Sequence, residues 1–188
     1  MEWKPVAIVA FAAALAGCAS PKGYSSGGAG TDEPNVYVAR EAFEIDKVGI
    51  LPFKAATTLI GGSVSDMFVT ELMKMGHYEL VERSQMSGVL GETEVALSGL
   101  TAGQAAQLGQ MVGANGVVIG TVSEYETVAQ GGRTYPVVGI TVRLIDSGTG
   151  KILWSVDHAA RGERNDTLAQ HARSVVREMA SALNRQLR

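Results

Sequence analysis

"TYPVVGITVRLID" (Thr134 to Asp146), "SGTG" (Ser147 to Gly150) and "KILWSVDHAA" (Lys151 to Ala160) together decide the fold of this chain. Two strand-like runs flank a tight turn, which predicts neighbouring antiparallel strands. Immediately before them, "NGVVIGTVSEYETV" (Asn115 to Val128) is apolar at first and alternates later, and so predicts a further strand. "AQGGR" (Ala129 to Arg133) supplies the turn that folds it back as a hairpin.

Upstream the pattern changes. "IDKVGILPF", Ile45 to Phe53, is a short apolar, β-branched run closed by Pro52 and predicts a buried strand. In "GGSVSDMFVTELMKMG" the residues Val64, Met67, Phe68, Leu72 and Met75 share one helical face, with Ser63 as the expected N-cap and Gly76 as the stop. "HYELVE" predicts the next strand. Strand, helix, strand opens an α/β layer fold, and the later hairpins make the sheet mixed, parallel early and antiparallel late.

Three further helices are expected. "SQMSGVLGE", Ser84 to Glu92, carries Met86, Val89 and Leu90; "TAGQAAQLGQMVGA" starts at a Thr101 cap and turns Ala105, Leu108 and either Met111 or Val112 to one side. The chain closes with a long amphipathic helix, capped by Asn165 or Asp166. Its buried face is Leu168, Ala172, Val175, Val176, Met179, Leu183 and Leu187, and Arg173, Arg177 and Arg185 keep to other faces as a solvated surface.

The amino-terminal end reads as an address. "MEWKPVAIVAFAAALAG" has one base, Lys4, and then an apolar block from Val6 to Ala16, the pattern of a secretory signal. The block is shorter than the roughly 20 residues a membrane-spanning helix needs. Leu15-Ala16-Gly17-Cys18 resembles the bacterial lipobox, so residues 1–17 are expected to be removed and Cys18 to carry fatty acyl chains. Each acyl CH₂ buried in a bilayer contributes about 0.8 kcal/mol, so several chains anchor firmly. Ala19-Ser20, with no Asp after Cys18, points to the periplasmic face of the outer membrane. Residues 18–40, rich in Ser, Gly and polar residues as far as Asn35, are expected to form a flexible tether, and residues 41–188 a single domain.

Composition narrows the chemistry. The net charge of −3 gives no general attraction to nucleic acid, and one cysteine allows no internal disulfide. His77, His158 and His171 lack metal-ligand spacing and are expected at strand ends or on the surface, so no metal or other cofactor is expected. Gly61-Gly62-Ser63 lacks the lysine of a phosphate loop, and no G-x-S-x-G elbow is present for Ser63, Ser65, Ser84 or Ser87. Glu124 and Glu126 share one strand face, expected to be a solvated outer face. No catalytic residue is expected.

"YELVERSQMSGVLGE" (Tyr78 to Glu92), "LTAGQAAQLGQMVGANGVVIGTVSEYE" (Leu100 to Glu126) and "VRLIDSGTGKILWS" (Val142 to Ser155) resemble, in order, the CsgG family of bacterial lipoproteins. The resemblance runs from about Val48 to Ser155. Its namesake is the outer-membrane secretion channel for curli subunits. The resemblance implies an α/β domain, of the sort also found in peptidoglycan-synthase activator lipoproteins and in the amino-terminal domain of TolB, with no enzymatic activity. In the curli channel each subunit adds membrane-crossing hairpins around the hairpin named above and after the following strand. Here those positions carry Glu124, Glu126, Gln130 and Arg133, then Asp157, His158, Arg161, Glu163 and Arg164. A membrane strand needs about 9 to 11 residues with an apolar outer face, so the full hairpins are expected to be missing. The expected role is non-enzymatic: envelope protein assembly or curli-like export through association with itself or with envelope proteins. The alternative is an accessory lipoprotein that activates a peptidoglycan synthase.

Overall fold

The computed structural model describes residues 33–81, 100–164 and 166–188. In chain order the strands are β1 (Asn35–Val38), β2 (Lys47–Ile50), β3 (Glu79–Val81), β4 (Gly116–Gln130), β5 (Arg133–Asp146) and β6 (Ile152–Arg161). The helices are α1 (Thr58–Met75), α2 (Ala102–Met111) and α3 (Leu168–Gln186), with a 3-10 turn at Arg40–Glu44. All six strands form one sheet in the order β1-β6-β5-β4-β2-β3. β2 runs parallel to β3 and β4, and the remaining pairs are antiparallel, which is the mixed α/β sheet expected. Gly131 and Gly132, both at positive φ, turn β4 into β5.

The sheet starts earlier than the expected domain boundary at residue 41. Asn35–Val38 lies at the end of the stretch read as tether, yet it pairs with Trp154 to Asp157 of β6. Val36 and Val38 alternate inward onto the main core, and a partner strand more than a hundred residues away supplies the ladder. Residues 1–17, Cys18, the rest of that stretch to residue 32, and the helix expected at Ser84 to Glu92 lie outside the described residues.

One face of the sheet carries α1 and α3. Phe53, Val64, Phe68, Leu72, Val118, Val142, Trp154, Val175, Val176, Met179 and Leu183 are buried there together. Each such aliphatic side chain taken out of water is worth about 1.5–3 kcal/mol. On the opposite face, α2 covers only one end of the sheet, where Ala105 and Leu108 meet Leu51, Val81 and Val117. Thr101 and Gln104 form a reciprocal capping box at the start of α2, as the Thr101 cap requires. Val112 packs inward on this cluster, whereas Met111 is 63% exposed.

Two helix starts differ from expectation. α1 begins at Thr57, whose Oγ1 accepts from the Ile60 N–H at 3.2 Å, so Ser63 is an exposed residue inside the helix and not its cap. The cause is tertiary: Gly61 packs against the Phe53 backbone, whose N–H donates to the Gly61 carbonyl at 3.3 Å. Gly61 and Gly62, read as a turn, lie inside the helix, and at Gly61 the Phe53 carbonyl leaves no room for a Cβ. α3 is capped by Thr167 in a capping box with Gln170, not by Asp166. The Asp166 carboxylate instead accepts from the Glu163 N–H at 2.9 Å; Asn165 lies outside the described residues.

Candidate functional site

Register, together with the inward set Val36, Val38, Val118, Val122, Ile140, Val142, Trp154 and Val156, fixes what the other face of the sheet presents. Residues between these point away from α1 and α3. Across β1, β6, β5 and β4 one row reads Tyr37, Ser155, Arg143, Ile119, and the next reads Asn35, Asp157, Thr141, Thr121. Further along come Ala159, Gly139, Glu124 and then Arg161, Val137, Glu126. A bulge between Val122 and Glu124 keeps both glutamates on this face. Arg143, Asp157, Arg161, Glu124 and Glu126 are all exposed, and Tyr37 is 58% exposed. The result is a broad, flat surface with opposite charges interspersed.

The centre of this surface is closely filled, because the Ser123 and Glu124 side chains cover the buried Gly139. Gly139 has no side chain, and a Cβ there would stand 2.8 Å from Ser123 Oγ and 3.0 Å from Glu124 Oε2. Beside it, Ala159 is small and exposed.

At one end of the face, two segments distant in sequence meet. The guanidinium of Arg161, on β6, lies 4.9 Å above the Tyr135 ring and also donates to Gln130 Oε1. The Gly162 N–H donates to the Pro136 carbonyl at 2.8 Å. The β4–β5 turn and the link from β6 to α3 therefore form one structural unit. Val137 opposite Arg161 is the last pair between β5 and β6, so residues 127–130 and 133–136 project beyond it as a two-stranded tip. Four residues per strand rise about 13 Å at roughly 3.3 Å each.

The titratable side chains do not converge. His77 Nε2 donates to Asn184 Oδ1 at 2.9 Å, His158 Nε2 to Glu178 Oε2 at 3.1 Å, and His171 Nε2 to the Ala160 carbonyl at 2.8 Å. His158 and His171 are buried, contrary to the expectation of strand-end or surface histidines: His158 lies under α3, and His171, itself in the first turn of α3, faces the end of β6. No group of three His, Cys, Asp or Glu side chains able to hold a metal occurs among the described residues. Ser65 donates to the Gly62 carbonyl at 2.8 Å, the ordinary bond of a serine within a helix. A hollow of about 260 Å³ under α1 is lined by Ile50, Val69, Met73 and Leu80, with Ser65 and Asp66 at its polar side. Cys18, the expected lipidation site, lies outside the described residues.

A family model described as the curli production assembly/transport component CsgG matches residues 47–187. This chain belongs to the CsgG family. The match covers the stretch from Val48 to Ser155 on which the resemblance rests and extends through α3. No curated protein matches the chain. Among solved structures, PelC of Paraburkholderia phytofirmans, crystallised as a dodecamer, is similar at 21% identity, with a TM-score of 0.59 over 80% of this chain and 96% of that one. Lipoprotein GNA1162 of Neisseria meningitidis is similar at 23% identity, with a TM-score of 0.52 over 72% of this chain and 99% of that one. At such identities the likeness is one of fold.

CsgG is an assembly and transport component by description, and this member has no catalytic arrangement among its described residues. None of its described helices is long and apolar enough to cross a membrane. Sequence reasoning placed Glu124, Glu126, Gln130, Arg133, Asp157 and Arg161 at two separate positions. The CsgG-family fold turns Glu124, Glu126, Asp157 and Arg161 to one sheet face and joins Gln130 to Arg161 at its end, whereas His158 of the second position faces inward under α3.

Proposed function

We propose that this chain is a non-enzymatic lipoprotein, held by Cys18 on the periplasmic face of the outer membrane, that acts in envelope protein assembly or export by associating with itself or with envelope proteins. Membership of the CsgG family over residues 47–187 is the observation that carries this reading. Residues 1–17 act as the signal, and the chain from Cys18 to the sheet acts as a leash. The open sheet face, with acids and bases interspersed, suits a protein partner of complementary charge, another copy of the chain included. The dodecamer of the similar PelC supports self-association.

The reading does not include a barrel of the chain's own. The tip beyond β6 offers four residues per strand against the 9 to 11 a membrane strand needs, and it ends in Gln130 and Arg133.

Light scattering of the detergent-extracted, lipid-bearing protein, beside a Cys18→Ala form made without residues 1–17, tests the proposal. A closed oligomer in either form supports self-association. A monomer in both, with no envelope protein co-purifying, sinks the proposal. Ion conduction by the oligomer in a planar bilayer would overturn the exclusion of a barrel.

A further inference from the structure

The outer surface of α3 is not used by the fold. Arg173, Arg177, Ser181 and Arg185 follow at four-residue steps, all exposed, and the exposed Arg188 follows just beyond the helix end. Residues at this spacing lie one above another on a helix. None of the four arginines pairs with an acid among the described residues; the one glutamate of the helix, Glu178, is engaged by His158. Residues 168–188 thus hold four arginines and one glutamate, a balance of +3 in a chain of −3, which leaves −6 for the rest. The molecule is polarised, with its cationic side on one helix.

Two features point to what this stripe meets. First, the exposed positions of the stripe are arginine and serine, with Ala169 at its start and the half-exposed Glu178 beside it, and hold no aromatic or large aliphatic side chain. A diffuse anionic surface requires only an excess of cationic charge and no packed apolar anchor. Second, the chain leading back to Cys18 leaves the fold at β1, whose Val36 and Val38 pack in the same core as Val175, Val176 and Met179 of α3. The seventeen residues from Cys18 to Asn35 span at most about 60 Å fully extended, which keeps α3 close to whatever surface holds Cys18.

We infer that the arginine stripe of α3 is a membrane-docking surface that binds the headgroups of anionic phospholipid, and so lays the domain down on the bilayer with the opposite, open sheet face turned away from it. This inference rests on the proposed location at a membrane. Binding is electrostatic, on the order of fivefold per arginine near an anionic surface, and is screened by salt.

The test uses the chain from residue 18 with Cys18→Ala, so that its outcome does not depend on lipidation; lipidation is checked separately by the intact mass of the membrane-extracted protein. Co-sedimentation with vesicles of phosphatidylglycerol mixed with phosphatidylcholine should show binding that falls with added salt, and vesicles of phosphatidylcholine alone should show none. The double variant Arg173→Glu/Arg177→Glu should bind at least tenfold more weakly. Arg173→Lys/Arg177→Lys should keep the binding, because charge and not fork geometry is what counts. Circular dichroism and the Tm of each variant report whether α3 is intact. Equal binding to both vesicle types, or none to either, overturns the inference. A glutamate variant that binds vesicles like the parent also overturns it. If that variant instead dissolves an oligomer while vesicle binding is unchanged, the stripe belongs to a protein interface.

Discussion

The indole N–H of Trp154 donates to the phenol oxygen of Tyr78 at 3.0 Å, joining β6 to the segment between α1 and β3 across the main core. Trp154 is fully buried, with the Phe68 ring 6.4 Å away. Tyr78→Phe leaves that N–H without its acceptor, at an expected cost of about 1–3 kcal/mol. The urea midpoint should fall with m unchanged; an unchanged midpoint would mean that another acceptor reaches the indole.

The same phenol makes stability depend on alkaline pH. Burial raises the Tyr78 pKa above its ordinary 10.0, and the hydrogen bond from Trp154 lowers it by less. Above pH 10 the unfolded chain gives up this proton while the folded chain keeps it, so unfolding becomes more favourable as pH rises. Stability should be full below about pH 10 and decline from there through the raised folded value. Urea titrations at stepped alkaline pH should show a shallower decline for Tyr78→Phe.

Gly61 and Phe53 set how closely α1 approaches the sheet. A methyl group at Gly61 would collide with the Phe53 carbonyl, which is backbone and cannot swing away. Gly61→Ala should therefore destabilise by about 1–3 kcal/mol or more through displacement of α1. Gly103→Ala, in α2 with nothing within 4 Å of the added carbon, should instead stabilise by about 0.5–1 kcal/mol. Equal effects of the two substitutions in thermal melts would refute the close approach.

Arg161 holds the projecting tip through Tyr135 and Gln130. An exposed cation–π contact is worth about 0.5–1 kcal/mol, so Arg161→Ala should hardly change global stability. Local opening should increase, with faster amide exchange at Thr134 and Tyr135 and across β4 from Thr127 while α3 is unaffected.

If the open face is a partner surface, crowding its centre should break association without unfolding the domain. Ala159→Trp places a large ring at an exposed position next to Gly139. The expected result is a Tm within a few degrees of the parent and a lower mass by light scattering. An oligomer of undiminished mass would move the interface elsewhere.

What was legible in the sequence was what depends on near neighbours. The β4–β5 and β5–β6 turns, the buried face of α3 and the Thr101 cap follow from spacing along one stretch. The start of α1 was not legible, because Gly61 and Gly62 lower helix propensity, and the close approach of Phe53 that calls for a glycine at Gly61 is a tertiary contact. The cap of α3 was within reach: Thr167 and Gln170 have the spacing of a capping box, but the acidic Asp166 just before them drew the assignment. Asn35–Val38 could not be separated from the polar stretch before it because its partner is β6, and the burial of His158 and His171 depends in the same way on how α3 packs against β6. The open face depends on register across four strands and a bulge, which no single segment reveals.

β1 has one further consequence, a mechanical one. Tension arriving along the chain from its amino-terminal side meets the fold at Asn35, at the outermost strand of the sheet. Four residues and the Ala39 N–H bond to the Leu153 carbonyl take up that load before β5 or β6 feels it. A pull along the strand strains these bonds together, while a pull across the sheet opens them one at a time from Asn35. Either way β1 yields first and β6 stays paired to β5. The short strand is a fuse that gives way under strain while the rest of the sheet keeps its pairing.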